Sequence, residues 1–282
     1  MLNRTTFLVG NKKNAGKTTF FNYAISQVRE HATVAFMTIG VDGEMDDVID
    51  NKQKPFIYTT KGDYIVTTGS RLNQSDASFA IHHVFPYKTA LGNLVLAQTI
   101  RGGNVELVGS EDNAQLTEII HFLKTELFID TILIDGAANR TTQVASVKNS
   151  FFCYILRIDH ETLHSDFNKL RALSLINTFP CVEEIKDIHL KKVFEITGAF
   201  TESKKGLIPY DCEVLLVNDF TKIFLELPQI ERLCSKLQIA YKIKYSLTAF
   251  VIILKNIQRN DFQQLLGKYK MEDKFIMNPY EC

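Results

Sequence analysis

The sequence predicts an α/β protein with a mostly parallel sheet flanked by helices, and three observations predict it. Strand-like and helix-like segments alternate through the first 160 residues. The runs "DTILIDG" and "FFCYILRID" are apolar without alternation, as strands are when helices cover both faces of their sheet. A glycine-containing turn joins the first strand to the first helix. With 45% hydrophobic residues in 282, the chain has ample material for a buried core.

The elements follow in order. "TTFLVG" reads as a strand, and "KTTFFNYAISQVREH" as a helix whose Phe21, Ala24, Ile25 and Val28 fall at i, i+3, i+4 and i+7 on one apolar face. "ATVAFMTIG" is the next strand. From about residue 42 to 92 the segments "PFIYTT", "DYIVTTG" and "FAIHHVF" are short and broken by Gly62 and Gly69, which predicts a β-rich insertion. "NLVLAQTI" and "NVELVG" read as strands, and "DNAQLTEIIHFLKTELF" as a helix with Leu116, Ile119, Ile120, Leu123 and Leu127 on one side. "DTILIDG" closes on Asp135, "FFCYILRID" follows, and the helix "ETLHSDFNKLRALSLINTF" stops before Pro180. Residues 1–180 therefore read as one domain. Beyond them come two strand-like runs around the charged stretch "ESKKG", read as a solvated hairpin tip, then "CEVLLVND", the helix "PQIERLCSKL", the strand "YKIKYSLTAFVIIL" and the helix "DFQQLLGKY". These predict a smaller α+β domain over 181–282.

Thirty-two basic and thirty-two acidic residues cancel, so no overall charge draws the chain to nucleic acid or an anionic membrane. Its five cysteines, never in a C-x-x-C pair, argue against a disulfide scaffold and for reduced thiols in the cytoplasm. The amino terminus runs straight into strand and loop with no signal-peptide pattern. No apolar run nears the roughly 18 residues a membrane span needs.

The stretch "VGNKKNAGKTTFF" is similar to a P-loop, G-x-x-x-x-G-K-[ST]. Anchored on Gly16, Lys17 and Thr18, the motif asks for glycine at position 11, where Asn11 stands; Gly10 is one residue early. Asparagine tolerates a left-handed backbone better than other non-glycine residues, and a one-residue insertion after Gly10 is the other explanation. In such a loop successive backbone amides and a helix N-terminus converge on an anion. The expected phosphate-binding segment is Asn11, Lys12, Lys13, Asn14, Ala15, Gly16, Lys17, Thr18 and Thr19, with Lys17 on the terminal phosphates and Thr18 on Mg²⁺. Lys12 stands where dimeric cytosolic ATPases place a second lysine, which makes a homodimer one assembly to expect; a solvated loop lysine is the other reading. A plain β–α turn containing Gly-Lys-Thr is the bland alternative for the whole stretch.

Nucleotide hydrolysis also needs a carboxylate at the end of a neighbouring strand, and Asp135, closing "TILID", suits a catalytic and Mg²⁺-binding role. Asp42 and Glu44 in "TIGVDGEMDD" are further candidates, Asp42 to orient water and Glu44 for Mg²⁺, although Val41-Asp42-Gly43 is also good turn chemistry. No N-K-x-D tetrad occurs, which favours ATP over GTP. A rival lies in "HETLH", a literal H-E-x-x-H: on a helix His160 and His164 would bind zinc, Glu161 would act as base, and Glu183 or Glu184 would be a third ligand. Its flanks, Asp159 and Ser165-Asp166, are polar, and Asp159 reads as an N-cap.

With the loop, "TIGVDGEMDD", "KP" at 54 and 55, "IRGGNVELVGSEDN" and "ILIDGAANR" in order, the first 160 residues resemble the reactivating ATPases of adenosylcobalamin-dependent aminomutases of the lysine 5,6-aminomutase type. The resemblance implies a P-loop protein that uses MgATP to remodel a cobalamin enzyme, with that enzyme or a second reactivase subunit as protein partner. It carries over Gly16, Lys17, Thr18 and Asp135 as nucleotide and Mg²⁺ residues, and places Asp42, Glu44, Arg101 and Arg140 near the nucleotide or a partner. Without the resemblance two classes stand: an ATPase coupled to another protein, and a small-molecule kinase or synthetase whose pocket is lined from 42 to 92.

Overall fold

The protein is described by a computed structural model over residues 1–10, 15–40, 56–136, 147, 150–271 and 273–280. β1 (Thr5–Gly10) leads to α1 (Lys17–Arg29) and β2 (Val34–Thr38). Then come β3 (Ile57–Thr59), β4 (Tyr64–Thr68), α2 (Gly69–Gln74), β5 (Ser78–Thr89), β6 (Gly92–Arg101), β7 (Gly103–Val105), α3 (Asn113–Thr125), β8 (Thr131–Asp135), β9 (Phe151–Asp159) and α4 (Leu163–Asn177). The rest is β10 (Val193–Ile196), β11 (Val214–Val217), α5 (Leu227–Cys234), β12 (Gln238–Tyr241), β13 (Ser246–Lys255), α6 (Arg259–Lys268) and β14 (Phe275–Met277).

Among the described residues nine strands form one sheet in the order β14-β13-β9-β1-β8-β2-β4-β6-β5. From β14 to β4 every pairing is parallel; β6 and β5 continue antiparallel at one edge. The unalternating runs explain the centre: all of β1, β2 and β8 is buried, because helices cover both faces. On one face Phe20, Phe21, Ala24, Ile25 and Val28 of α1 pack on Leu8, Leu133, Phe36, Cys153 and Ile155, and β3 and β7 cover the flank. The opposite face carries α3 over Phe7, Val9, Ile132 and Ile134, and α4 with α6 over Leu156, Ile158, Ile252 and Leu254.

Of the expected β-rich region from about 42 to 92, residues 56–92 are described and hold β3, β4 and β5; β4 and β5 are no appendage but widen the main sheet, with β6 between them. The chain after 180 also divides differently from the expected 181–282 unit. β10, β11 and β12 form a separate three-stranded parallel sheet with α5, while β13 and β14 return to the main sheet beside β9. "YKIKYSLTAFVIIL" breaks at Lys242 to Tyr245 into two strands, and its apolar half is buried as an interior strand. "ESKKG" is not a hairpin tip: Glu202–Leu207 is a 3-10 turn linking two parallel strands, β10 and β11, which need a crossover rather than a tight turn. Among the described residues no helix is long and apolar enough to cross a membrane.

Two buried groups tie the helix layer to the sheet. At the last turn of α1, Arg29 grips Asp63 through Nε (2.9 Å) and Nη2 (2.6 Å), and Asp63 also accepts the Thr60 backbone N–H (2.8 Å). The Asp63 side chain is only 3% exposed. Removing one partner of a buried pair strands the other charge, so Arg29→Ala should lose about 3 kcal/mol of unfolding free energy in urea titration. Cys153, wholly buried under α1, has its thiol pushed up by burial to about 12 from an ordinary 9.0. Its folded form holds the proton more tightly than the unfolded chain, so this contribution is complete below pH 9.0 and fades toward pH 12. Urea midpoints should fall above pH 9, and Cys153→Ala should shallow that slope by up to about 1.4 kcal/mol per pH unit.

Candidate functional site

From β1 the chain runs through α1 to β2 on one side of the sheet; from β9 it runs through α4 and beyond to β13 on the other. β1 and β9 are neighbours, with Gly10 in register with Ile155. Their carboxyl ends therefore flank a topological switch point, the place where open α/β sheets form a ligand crevice. β1 ends there at Gly10, and α1 starts at Lys17.

Gly16 caps α1 with φ 86° and ψ 17°, a left-handed conformation that suits glycine, and having no side chain it leaves the first helical turn uncapped by its own N-cap residue. Its carbonyl accepts the Phe20 N–H at 2.9 Å, so the helix is regular from its first turn. Gly10, offset from the motif, has a steric role. A Cβ there would lie 3.0 Å from Cγ and Cδ of Lys17 and 3.1 Å from the Ile155 carbonyl oxygen, so the Lys17 stem folds back over the end of β1. Ala15 is buried beneath the turn, Thr18 is half-buried and Thr19 is exposed. The helix N-terminus thus offers backbone N–H groups, its dipole and a lysine at one point, which is the chemistry of an anion site.

Asp135 ends β8, the strand next to β1, and is 4% exposed. Its register partners are Leu8 in β1 and Thr38 in β2. Leu8 packs against α1, and Leu133, two residues before Asp135, does the same, so Leu8, Asp135 and Thr38 form a row on the α1 face. The Asp135 carbonyl accepts the Thr38 hydroxyl (3.2 Å) and the Ile39 N–H (3.1 Å). The end of β2 is held from outside by Gly109, whose N–H donates to Gly40 O at 3.0 Å. A Cβ on Gly109 would lie 1.7 Å from the Thr38 carbonyl oxygen, so no larger residue fits.

The carboxyl terminus also reaches this site. Asn278 ties β14 to β13 by donating its N–H to Ile252 O (2.9 Å) and accepting the Leu254 N–H (2.7 Å). Tyr280 then lies on α1: its hydroxyl donates to Gly16 O at 3.4 Å and its ring meets Tyr23 edge-on at 6.0 Å.

The chain matches no protein-family model, no curated protein and no solved structure.

The structure thus brings Ala15, Gly16, Lys17, Thr18 and Thr19 to the carboxyl edge of the sheet with Asp135 on the adjoining strand. Asn11, Lys12, Lys13, Asn14, Asp42, Glu44 and Arg140 lie outside the described residues. Arg101 does not join the site. β6 runs antiparallel to β4 and pairs Gln98 with Tyr64, the first residue of β4, so Arg101 sits beyond it at the amino edge, donating to Asp76 O at 3.0 Å. The H-E-x-x-H pentad straddles an element boundary: His160–Thr162 is a 3-10 turn and α4 starts at Leu163. Of the two conceivable third ligands, Glu183 and Glu184, the latter is engaged by the Cys181 N–H (3.0 Å) and by Lys244 (3.3 Å). Among the described residues no three His, Cys, Asp or Glu side chains are grouped as a metal site.

Tyr280 and Gly109 escape sequence reasoning because their partners, Gly16 and Thr38, are remote along the chain and carry no local signal. The two kinds of glycine constraint are separable. Gly16→Ala should cost about 1–2 kcal/mol, the strain of a left-handed non-glycine residue. Gly109→Ala, which must displace backbone, should cost about 3 kcal/mol; equal urea stabilities for the two variants would contradict this assignment.

Proposed function

We propose that this chain is a P-loop ATPase that binds MgATP at the Gly10-to-Thr19 turn and passes the resulting conformational change to a partner enzyme. One observation carries the reading: Gly16 in the left-handed region, with Lys17 folded over Gly10, sits at the carboxyl end of the central parallel strand while Asp135 ends the adjacent strand on the α1 face. A phosphate-binding turn, its lysine and a strand-end carboxylate are the parts that phosphoryl transfer needs, because catalysis there is mainly positioning and charge stabilisation.

In this reading the amides of the first α1 turn and the Lys17 ammonium hold the terminal phosphates. Thr18 and Asp135 are the residues that would hold Mg²⁺, whose charge offsets that of the β- and γ-phosphates. Tyr280 and Tyr23, whose rings meet beside Gly16, would offer aromatic surface to the base. Asp42, Glu44 and Arg140 remain candidates for water orientation or partner contact from segments that follow β2 and β8.

Transfer to a protein partner is favoured over a small-molecule kinase or synthetase. A kinase needs a second set of positioned cations and bases, and Arg101, one of its three candidates, stands at the opposite edge of the sheet. The resemblance of the first 160 residues to aminomutase reactivases names the partner class: a cobalamin-dependent aminomutase, or a second reactivase subunit. ATP-dependent co-purification with such an enzyme supports the reading; rapid phosphorylation of a small metabolite by a lone chain reverses the preference.

Lys17→Ala should weaken MgATP binding in calorimetry by at least about 100-fold, since it removes a charge-assisted contact worth roughly 3 kcal/mol, while the chain still folds. Asp135→Asn should retain ATP binding but lose most of its Mg²⁺ dependence. Unaltered affinity in Lys17→Ala would overturn the phosphate-cradle assignment.

A further inference from the structure

The carboxyl ends of β9 and β13 carry a charged cluster that the P-loop motif does not contain. In β9, Cys153 and Ile155 pack with α1 while Leu156 and Ile158 pack on the opposite face, so strand pleating puts Arg157 and Asp159 on the α1 side. In β13, Val251 and Ile253 meet the α1 layer, which puts Lys255 there too. Parallel pairing sets Arg157 beside Ile253 and Asp159 beside Lys255. The Asp159 Oδ1 accepts from Nη2 of Arg157 at 3.3 Å and faces the Lys255 ammonium at 3.7 Å. Two cations thus share one carboxylate oxygen.

Register places this cluster at the head of α1. Gly10, the last residue of β1, pairs with Ile155, so Arg157 lies about 6.6 Å further along the α1 face and has no β1 residue beside it. Gly16 sits over Ile253, the register partner of Arg157: a Cβ on Gly16 would be 3.5 Å from Ile253 Cγ1. Neighbouring strands are about 4.8 Å apart, so the Arg157 backbone is one strand spacing from the side chain under Gly16. The contact with Asp159 draws the guanidinium onward to the carboxyl edge. That contact is a weak tie. It is single, between partly exposed side chains, and a guanidinium is better matched by two oxygens than by one. Lys255 stays beside Asp159 when the guanidinium turns away, so no carboxylate is stranded.

We infer, resting on the P-loop reading, that Arg157 is a second cation of the polyphosphate site and exchanges Asp159 for phosphate oxygens when nucleotide binds. β9 and β8 flank β1, so Arg157 meets the phosphates from one side and Asp135, with the metal, from the other. Phosphate oxygens accept two parallel N–H bonds from a guanidinium, which Asp159 does not do here. Asp159 competes for Arg157, and an anion at the head of α1 has to displace it. The two substitutions within the pair therefore act with opposite signs on binding.

Calorimetric titration of the full chain with ATP, in Mg²⁺ and again in EDTA, tests it. Arg157→Gln should weaken binding about 10-fold or more, by the same factor in both conditions, because its contact does not pass through the metal. Arg157→Lys, which keeps the charge, should recover part of that loss. Asp159→Asn should tighten binding by up to about 5-fold, the worth of a partly exposed pair that no longer has to be broken. A purely structural pair gives the other result: Asp159→Asn weakens binding as Arg157→Gln does. That outcome, or an Arg157→Gln variant equal to the parent, would overturn the assignment; if Arg157→Gln does not fold, the sign of Asp159→Asn decides alone. Loss of binding in Lys17→Ala with none in Arg157→Gln sinks this assignment and leaves the P-loop reading standing, whereas a parent chain that binds no ATP sinks both.

Discussion

The site depends on how closely the first turn of α1 approaches the end of β1. Gly10 has no Cβ, which lets the Lys17 stem cross the strand at a distance a methyl group would occupy, with the Ile155 carbonyl closing the other side. Gly16 supplies the left-handed residue that reverses the chain into the helix. A side chain at position 10 would press on the Lys17 stem and the Ile155 carbonyl, and one at position 16 would be held in a left-handed conformation that disfavours it. The strong hydrophobic anchoring of α1 through Phe20, Phe21, Ala24, Ile25 and Val28 keeps that end from drifting.

The same packing sets the position of the carboxylate. Parallel pairing of β1, β8 and β2 aligns Leu8, Asp135 and Thr38, and strand pleating turns all three toward α1. Gly109 then fixes the end of β2 against a loop that approaches too closely for any Cβ. A charge-bearing residue at the end of an interior strand is expensive to bury, so its placement on the face covered by α1, near the positive end of that helix dipole, has a physical rationale beyond packing.

Much of this was legible in the sequence where the signal is local. Unalternating apolar runs marked β8 and β9 as strands covered on both faces, and the spacing of Phe21, Ala24, Ile25 and Val28 marked the buried side of α1. Asp112, read at the head of the third helix, does accept the Ala114 and Gln115 N–H groups as its N-cap. The failures are non-local. Nothing along residues 241–254 announces that Ser246–Lys255 leaves the inserted sheet and pairs with β9, since an apolar strand can add to either sheet. Strand direction decided Arg101: an antiparallel partner carries its last residue to the amino edge, and periodicity does not report direction. The contact of Tyr280 with Gly16 spans 264 residues, beyond any local pattern.

The central claim is that an anion binds where α1 meets the end of β1. The most direct measurement is an experimental structure with a non-hydrolysable ATP analogue and Mg²⁺. The account predicts the triphosphate on the backbone of the turn between Gly10 and Thr19, its metal beside Thr18 and Asp135. A turn filled by its own side chains, with the nucleotide bound elsewhere or not at all, would contradict it.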